Sequence, residues 1–244
     1  MIGSTIIHLD TVDSTNNYAA KELLTKSLKE GTIFVAACQQ SGRGQGNSSW
    51  ESSKGLNLTF SMVLYPRRVE IVRQFALSKA VSLGVIDFLS PLTKDVSIKW
   101  PNDIYAGDRK IAGILIETTI SSGQISRAII GIGLNINQEE FLSDAPNPVS
   151  LKNLTGIHYD LPEILDQLCI KLDQRYHLLI GGNQAGIDDD YEKQLYRCGE
   201  WASYSAAGED FEGFLTGTDF DGSLLIRTRN GEVRRFQFKE VQFR

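Results

Sequence analysis

The chain has 244 residues, 41% of them hydrophobic, and a formal net charge of −5. Ordinary apolar content at this length supports a buried core without disulfides or a metal. The acidic balance excludes a general polyanion binder, because non-specific nucleic-acid affinity comes from Lys and Arg on phosphates.

In chain order, Ile6 to Leu9 reads as a strand. Asp13 or Ser14 reads as the N-cap of a helix carrying Tyr18, Ala19, Leu23 and Leu24. The run "TIFVAACQQ" reads as a buried strand feeding a glycine-rich segment, "GRGQGNSSW", residues 42–50. "LNLTFSMVLY" is a further strand, and Ile71 to Leu89 a helix apolar on most faces and packed on a sheet. Strands at Val96–Trp100 and Ile111–Thr118 flank a turn containing "AGDR". "ISRAIIGIGLNIN" is a strand with Gly131 and Gly133 inside it, and interior glycine marks close approach of a ligand or backbone.

"SDAPNPVS" reads as loop. Asp160 caps a helix with Glu163 three residues on. In it Leu161, Ile164, Leu165, Leu168, Leu172 and Tyr176 keep helical spacing. After Arg197 short alternating runs and turn signals take over. Asn230-Gly231 between "LLIRTR" and "EVRRFQF" predicts a type I′ hairpin. The expectation is a larger helix-and-sheet unit followed, from about residue 198, by a small antiparallel barrel-like unit.

Cys38, Cys169 and Cys198 lie far apart with no CxxC pair, which reads as reduced thiols of a cytosolic protein. His8, His158 and His177 share no metal-ligand spacing. The first residues lack the basic flank and apolar run of a signal peptide. No stretch approaches the ~18 apolar residues of a membrane span.

Several stretches carry chemistry, each with a plainer reading beside it. The glycines of 42–50 let backbone N–H groups approach an anion, and Arg43 adds a fixed charge suited to carboxylate or phosphate. The same loop reads equally as a surface loop. Trp50 offers a stacking surface for a flat ring, or a core residue. "KWPNDIY" crowds Lys99, Asn102 and Asp103 around one proline, either at a sheet-end site or in an ordinary turn. "GDRKIAGILIE" sets Arg109 and Lys110 at a strand entry, beside ligand or in solvent. Asn135 and Asn137 of "GIGLNIN" read a base edge or terminate a strand. "DSTNNY" is a helix cap, or presents Ser14 and Thr15 to a small polar ligand. Asp188-Asp189-Asp190 reads as solvated charge at a helix start, with a metal site the alternative.

Taken together and in this order, "DSTN", "QQSGRGQGNSSW", "KWPNDI", "RKIAGILIE" and "GIGLNIN" resemble the biotin protein ligases, the biotin–[acetyl-CoA-carboxylase] ligases. The resemblance covers residues 5–140, and "KWPND" followed by "K-x-x-G-I-L-x-E" is its most specific part. It implies an α+β fold. A catalytic domain over residues 1–197 would hold a mixed sheet flanked by helices, and residues 198–244 a small SH3-like β-barrel.

The resemblance also implies two reactions. Biotin and ATP give biotinyl-5′-AMP, and a lysine of a biotin carboxyl carrier protein or domain then takes the biotinyl group. Ser14, Thr15, Asn16 and Gln39 would meet the biotin ureido head. Gly42 and Arg43 would line the valeryl chain and carboxylate, and Gly113, Gly131 and Ile132 would lend backbone. Lys110 would stand at the reacting carboxylate and α-phosphate, with Arg43 and Asp103 beside it as further catalytic residues. Gln45, Trp50, Lys99, Asn102 and Asn135 would hold ATP and the adenylate, with Trp50 stacked on adenine. Mg2+ would accompany ATP, with Asp103 near it.

The glycine loop would be disordered when empty and ordered by ligand. The family usually has arginine where Gln45 stands, and more basic residues where Asn47 and Ser48 stand, so this loop is less basic. Some members carry an N-terminal helix-turn-helix repressor domain. Here the catalytic pattern begins within ten residues, which argues against nucleic-acid binding. A cytoplasmic enzyme with no membrane partner is expected, and a homodimer stays open. A lipoate–protein ligase and a non-catalytic biotin- or nucleotide-binding protein are the alternatives.

Overall fold

The computed structural model describes residues 1–46, 48–142 and 147–244. Asn47, and residues 143–146 of the loop reading "SDAPNPVS", lie outside the described residues.

Seven strands make the first sheet: β1 (Thr5–Val12), β2 (Thr32–Gln39), β3 (Leu58–Leu64), β4 (Val96–Lys99), β5 (Asp103–Ala106), β6 (Arg109–Ser121) and β7 (Gln124–Leu134). Their spatial order is β1-β2-β3-β7-β6-β5-β4. Only β1 and β2 run parallel, so the sheet is mixed, as expected. β3 lies inside it, between β2 and β7, and is buried along its whole length. It reads as a nearly continuous apolar run for that reason.

The helices are α1 (Thr15–Thr25), α2 (Phe75–Leu89), α3 (Leu151–Thr155), α4 (Leu161–Ile180) and α5 (Gln184–Lys193). Successive strand residues point to opposite faces of a sheet. Phe34, Val63 and Ile129 accordingly pack under Ala19 and Tyr18 of α1. Their neighbours Ile33, Met62 and Ile130 join Leu77 and Leu83 of α2 and Leu165 and Leu168 of α4 in the larger core. α2 and α4 approach closely because Gly84 has no side chain: a Cβ there would stand 2.9 Å from Leu172 Cδ2. The α1 face remains partly uncovered, and the candidate site lies there.

Residues beyond 200 form β8 (Trp201–Ala206), β9 (Glu209–Thr218), β10 (Leu224–Thr228), β11 (Val233–Phe236) and β12 (Val241–Phe243). This second sheet is antiparallel in the order β11-β10-β9-β8-β12. It docks on the first through Trp100, whose Nε1 donates to Gly222 O at 2.8 Å and whose ring meets Phe238 edge-on.

The strand expected at Val96–Trp100 ends at Lys99, and Asp103, read as a turn former, opens β5. Only Trp100-Pro101-Asn102 makes the turn between these two strands. The helix expected from Ile71 starts as one 3₁₀ turn, Ile71–Arg73, before α2 begins at Phe75. Asn230-Gly231 does not form a type I′ turn, which needs positive φ at both positions. Only Gly231 is left-handed, at φ +89°, and Thr228 N reaches Glu232 O, giving a three-residue loop. Asp188, Asp189 and Asp190 lie in the middle of α5, not at a helix start. Two of them are ion-paired rather than solvated, Asp188 with the buried Lys79 at 2.7 Å and Asp190 with Arg175 at 2.7 Å.

Candidate functional site

A cavity of about 700 Å³ opens on the α1 face. Its floor follows from strand register. Ser61 of β3 pairs with Gly131 of β7, and Gly133 of β7 pairs with Gly113 of β6, so the three glycines and Ser61 share one face. Side chains above them take the vacated space. A Cβ on Gly131 would overlap Asn16 Oδ1, and one on Gly133 would overlap the Trp50 indole.

One end of the cavity is lined by neutral polar groups, with one ion pair at their edge. Thr15 N donates to Gln39 Oε1 at 2.7 Å, which leaves the Gln39 amide nitrogen on the side of Gly42. Ser61 Oγ donates to Asn16 Oδ1 at 2.6 Å and stands 2.7 Å from Thr15 Oγ1. Asn16 Nδ2 donates to Glu117 Oε2 at 2.8 Å, and Arg43 Nη2 pairs with Glu117 Oε1 at 2.8 Å. A continuous network thus runs from α1, through β3 and β6, to the glycine loop.

The other end is charged. Lys110 Nζ stands 2.7 Å from Asp103 Oδ1, with each side chain about a quarter exposed (23% and 24%). A β-bulge between Ile104 and Tyr105 creates this pair. Ala112 faces Ile104, Lys110 faces Tyr105, and Ile111 is the extra residue. Without the bulge Lys110 would point to the opposite face from Gly113 (period two). With it Lys99, Asp103, Tyr105 and Lys110 all share the cavity face.

Lys99 Nζ donates to Tyr105 Oη at 2.9 Å. Burial lowers the Lys99 pKa, with Asp103 opposing the shift and Arg197 adding to it. Burial, and then the charge of Asp103, raise that of Tyr105. Asn102 Nδ2 donates to Ile114 O at 2.7 Å, and its carbonyl accepts from Ile114 N, tying the proline turn to β6.

The glycine loop closes on itself. Gly44 N donates to Ser48 O and Trp50 N to Gly42 O. Gly42 is required there, since a Cβ would overlap the Trp50 carbonyl. Trp50 Nε1 and Gln45 Oε1 are buried with no hydrogen-bond partner among the described residues. Buried polar atoms are normally satisfied, so an orphan in a cavity marks a place for ligand or water.

Of the residues singled out from sequence, Ser14, Thr15, Asn16, Gln39, Arg43, Gln45, Trp50, Lys99, Asn102, Asp103, Lys110, Gly113, Gly131 and Ile132 line the cavity. Gly42 and Asn135 do not. Gly42 shapes the loop, and the buried Asn135 donates to Val149 O at 3.1 Å. Sequence reasoning passed over Ser61 and gave no role to Glu117, the last residue of "K-x-x-G-I-L-x-E", although a lone hydroxyl and a lone carboxylate inside apolar strands were visible signals. It also missed Phe238, Lys239, Val241, Gln242 and Phe243, which line the cavity from the second sheet and carry no local signature.

Fold and site together define a mixed-sheet protein with a glycine-floored cavity that is polar at one end and charged at the other. Residues 9–135 match the Biotin/lipoate A/B protein ligase family, and the chain belongs to it. Similar structures include a biotin protein ligase from Aquifex aeolicus in complex with biotin and ATP. It is 28% identical, with 99% of each chain covered and a TM-score of 0.81. The bifunctional ligase/repressor BirA of Escherichia coli (strain K12) is 29% identical over 99% of this chain and 75% of that protein. The biotin–[acetyl-CoA-carboxylase] ligase of Paracoccus denitrificans is 29% identical over 90% of this chain and 92% of that one.

Proposed function

We propose that the chain is a biotin–protein ligase that activates biotin with ATP and passes the biotinyl group to a carrier lysine. The observation that carries this reading is the two-ended cavity, with its neutral polar network facing the Lys110–Asp103 pair across a glycine floor. The likeness to the Aquifex aeolicus ligase across 99% of both chains supports it. In the first step a carboxylate oxygen of biotin attacks the α-phosphorus of ATP, and the bond to pyrophosphate breaks. In the second the carrier amine attacks the acyl carbon, loses a proton, and AMP leaves. Both nucleophiles come from substrates, so the chain supplies binding, orientation and charge.

Ser14, Thr15, Asn16 and Gln39 receive the ureido head in this reading, because neutral donors and acceptors suit a neutral urea. Lipoate would set an apolar dithiolane against the same groups and strand them, at about 1–3 kcal/mol for each unsatisfied group. This favours biotin over lipoate. Arg43 exchanges its Glu117 partner for the substrate carboxylate. Lys110 offsets negative charge that grows between carboxylate and α-phosphate. Trp50, Lys99, Asn102 and Gln45 border the nucleotide. The position of Asn135 gives it a role through the 147–149 segment that supports Lys110, whose backbone bonds to Asn147 and Val149.

The described residues include no cluster of three metal-ligating side chains. Asp103 supplies the carboxylate among the described residues that line the cavity, and it fits Mg2+ that arrives on the nucleotide, since such ions bind through one or two carboxylates plus phosphates. Bound there, the ion would neutralise phosphate charge. The domain boundary falls at 197/198. Gln194 and Tyr196 bond Ile98 of the first sheet, while Gly199 bonds Leu215 of the second, which supports that division.

The carrier is the biotin carboxyl carrier domain of a biotin-dependent carboxylase, and use of ATP supports a cytoplasmic setting. The test is pyrophosphate release from ATP with biotin or lipoate, followed by transfer to a carrier domain. Release with biotin alone, and biotinylation of one carrier lysine, is expected. Release with lipoate, or none with either acid, would overturn the reading.

A further inference from the structure

We propose that Lys239, in the turn joining β11 to β12, binds the polyphosphate tail of ATP at the outer rim of the cavity. The proposal rests on the ligase reading for its ligand, but its evidence is separate.

The cations that the first sheet and glycine loop place at the cavity have partners within that body, and in the ligase reading Arg43 and Lys110 serve the carboxylate and the α-phosphate. Arg43 pairs with Glu117 and Lys110 with Asp103, while Lys99 is half-buried on Tyr105. Lys239 lines the same cavity and is exposed; its Nζ stands 5.6 Å from the Phe238 ring centroid, and it takes part in no ion pair among the described residues. Its Nζ lies against the glycine loop, where a Cβ on Gly46 would stand only 2.5 Å from it. Gly46 itself is left-handed, at φ +68°, and its bare Cα leaves room for the ammonium. The loop therefore has a cation beside it, supplied by the second sheet, next to the position where Gln45 is neutral.

The backbone of Lys239 is the second observation. Its φ of +70° is left-handed, a conformation costly for any residue with a Cβ. The turn is held by Gln237 N donating to Glu240 Oε2 at 2.7 Å and Glu240 N donating to Gln237 O at 3.1 Å. Glycine would suit this position better for folding alone. Non-glycine residues kept in such conformations concentrate at ligand clamps.

The ligand chemistry follows from depth. Lys110 reaches down to the glycine floor, its Cε 3.4 Å from a Cβ on Gly113, whereas Lys239 stands at the solvent rim. A departing pyrophosphate must pass the rim, so the rim cation serves the β- and γ-phosphates and the floor cation the α-phosphate.

Isothermal titration of the full chain with ATP and with AMP, without biotin, tests this in wild type, Lys239→Gln, Lys239→Arg and Lys239→Gly. Lys239→Gln is expected to weaken ATP about tenfold, the scale of one charge-assisted hydrogen bond, and to leave AMP unchanged. Lys239→Arg retains ATP affinity. Lys239→Gly loses it while raising the melting temperature, a split that a structural role would not produce. Unchanged ATP affinity in Lys239→Gln, or equal losses for ATP and AMP, overturns the proposal. A wild type that binds ATP through Lys239 but releases no pyrophosphate with biotin overturns the ligase reading and leaves Lys239 as a polyphosphate site. A wild type that binds no ATP overturns both.

Discussion

The indole of Trp50 lies directly on Gly133, so closely that a Cβ on the glycine would overlap Cε2 of the ring. Gly113, paired with Gly133 across β6 and β7, meets the same ring at 3.0 Å from a built Cβ. Lys110 Nζ stands 5.6 Å from the ring centroid. The loop tryptophan is therefore seated by two missing side chains.

Gly133→Ala should lift the indole and weaken ATP and adenylate binding by about 1–3 kcal/mol, the worth of a base–aromatic stack. Trp50→Ala should match it. Intrinsic fluorescence during nucleotide titration reports the seating. Unchanged affinity in both variants would make the indole structural.

Lys110→Ala removes the floor cation and leaves Asp103 without its partner. Biotin-dependent pyrophosphate release should fall by about 10²–10³-fold, the cost of losing one preorganised electrostatic group. The decisive measurement is a single-turnover rate at saturating substrates, with near-normal turnover as the contrary result. Asp103→Asn, which frees Lys110, should change the rate less than Lys110→Ala.

Gln45→Arg adds a charge beside Gly46. Release of biotinyl-5′-AMP should slow, by roughly tenfold for each 1.4 kcal/mol gained, and the gain should shrink as salt rises. A pulse of labelled biotin and ATP chased with unlabelled biotin measures it. An equal or faster off-rate would mean that Arg43 and the lysines already satisfy the anion.

Asp188→Asn strips the carboxylate from the buried Lys79, which is 3% exposed. Leaving a buried charge without its partner costs about 1–3 kcal/mol here, less than for a fully buried pair because Asp188 is itself 32% exposed. Urea melts should show that loss, and Lys79→Met combined with Asp188→Asn should recover much of it. If the single variant is as stable as wild type, the pair carries no such weight.

Asp221 makes the stability depend on pH. Burial raises its pKa, but hydrogen bonds from Ser223 and the Arg235 guanidinium outweigh burial and hold it at about 2. A carboxyl lowered on folding stabilises above its unfolded value of 3.8 and loses that contribution as pH falls through about 2. Asp221→Asn should cost about 1 kcal/mol at pH 7, a figure reduced for solvent screening. The difference should shrink below pH 4 and vanish only below about pH 2. Since Gly222 O receives Trp100, thermal melts across pH also report docking of the second sheet on the first. A difference that is constant with pH would assign the effect to packing alone.

The sequence by itself determined the element types and most of the site's composition. Apolar runs fixed where β2, β3 and β7 lie, period 3.6 revealed α4, and short ordered motifs carried the resemblance. These signals are local, since each depends on residues a few positions apart. The tertiary structure decided what local signals do not encode. Lys110 reaches the cavity only because a bulge opposite Tyr105 turns it to the face of Gly113, and register is a property of two strands together. Asn135 hydrogen-bonds Val149 O because β7 runs on beneath the 147–149 segment, away from the cavity. Lys239 meets Gly46 across 193 residues of chain, brought there by the packing of one sheet on another. No pattern of neighbours announces such a contact, because its energy comes from surfaces that exist only once both sheets have folded.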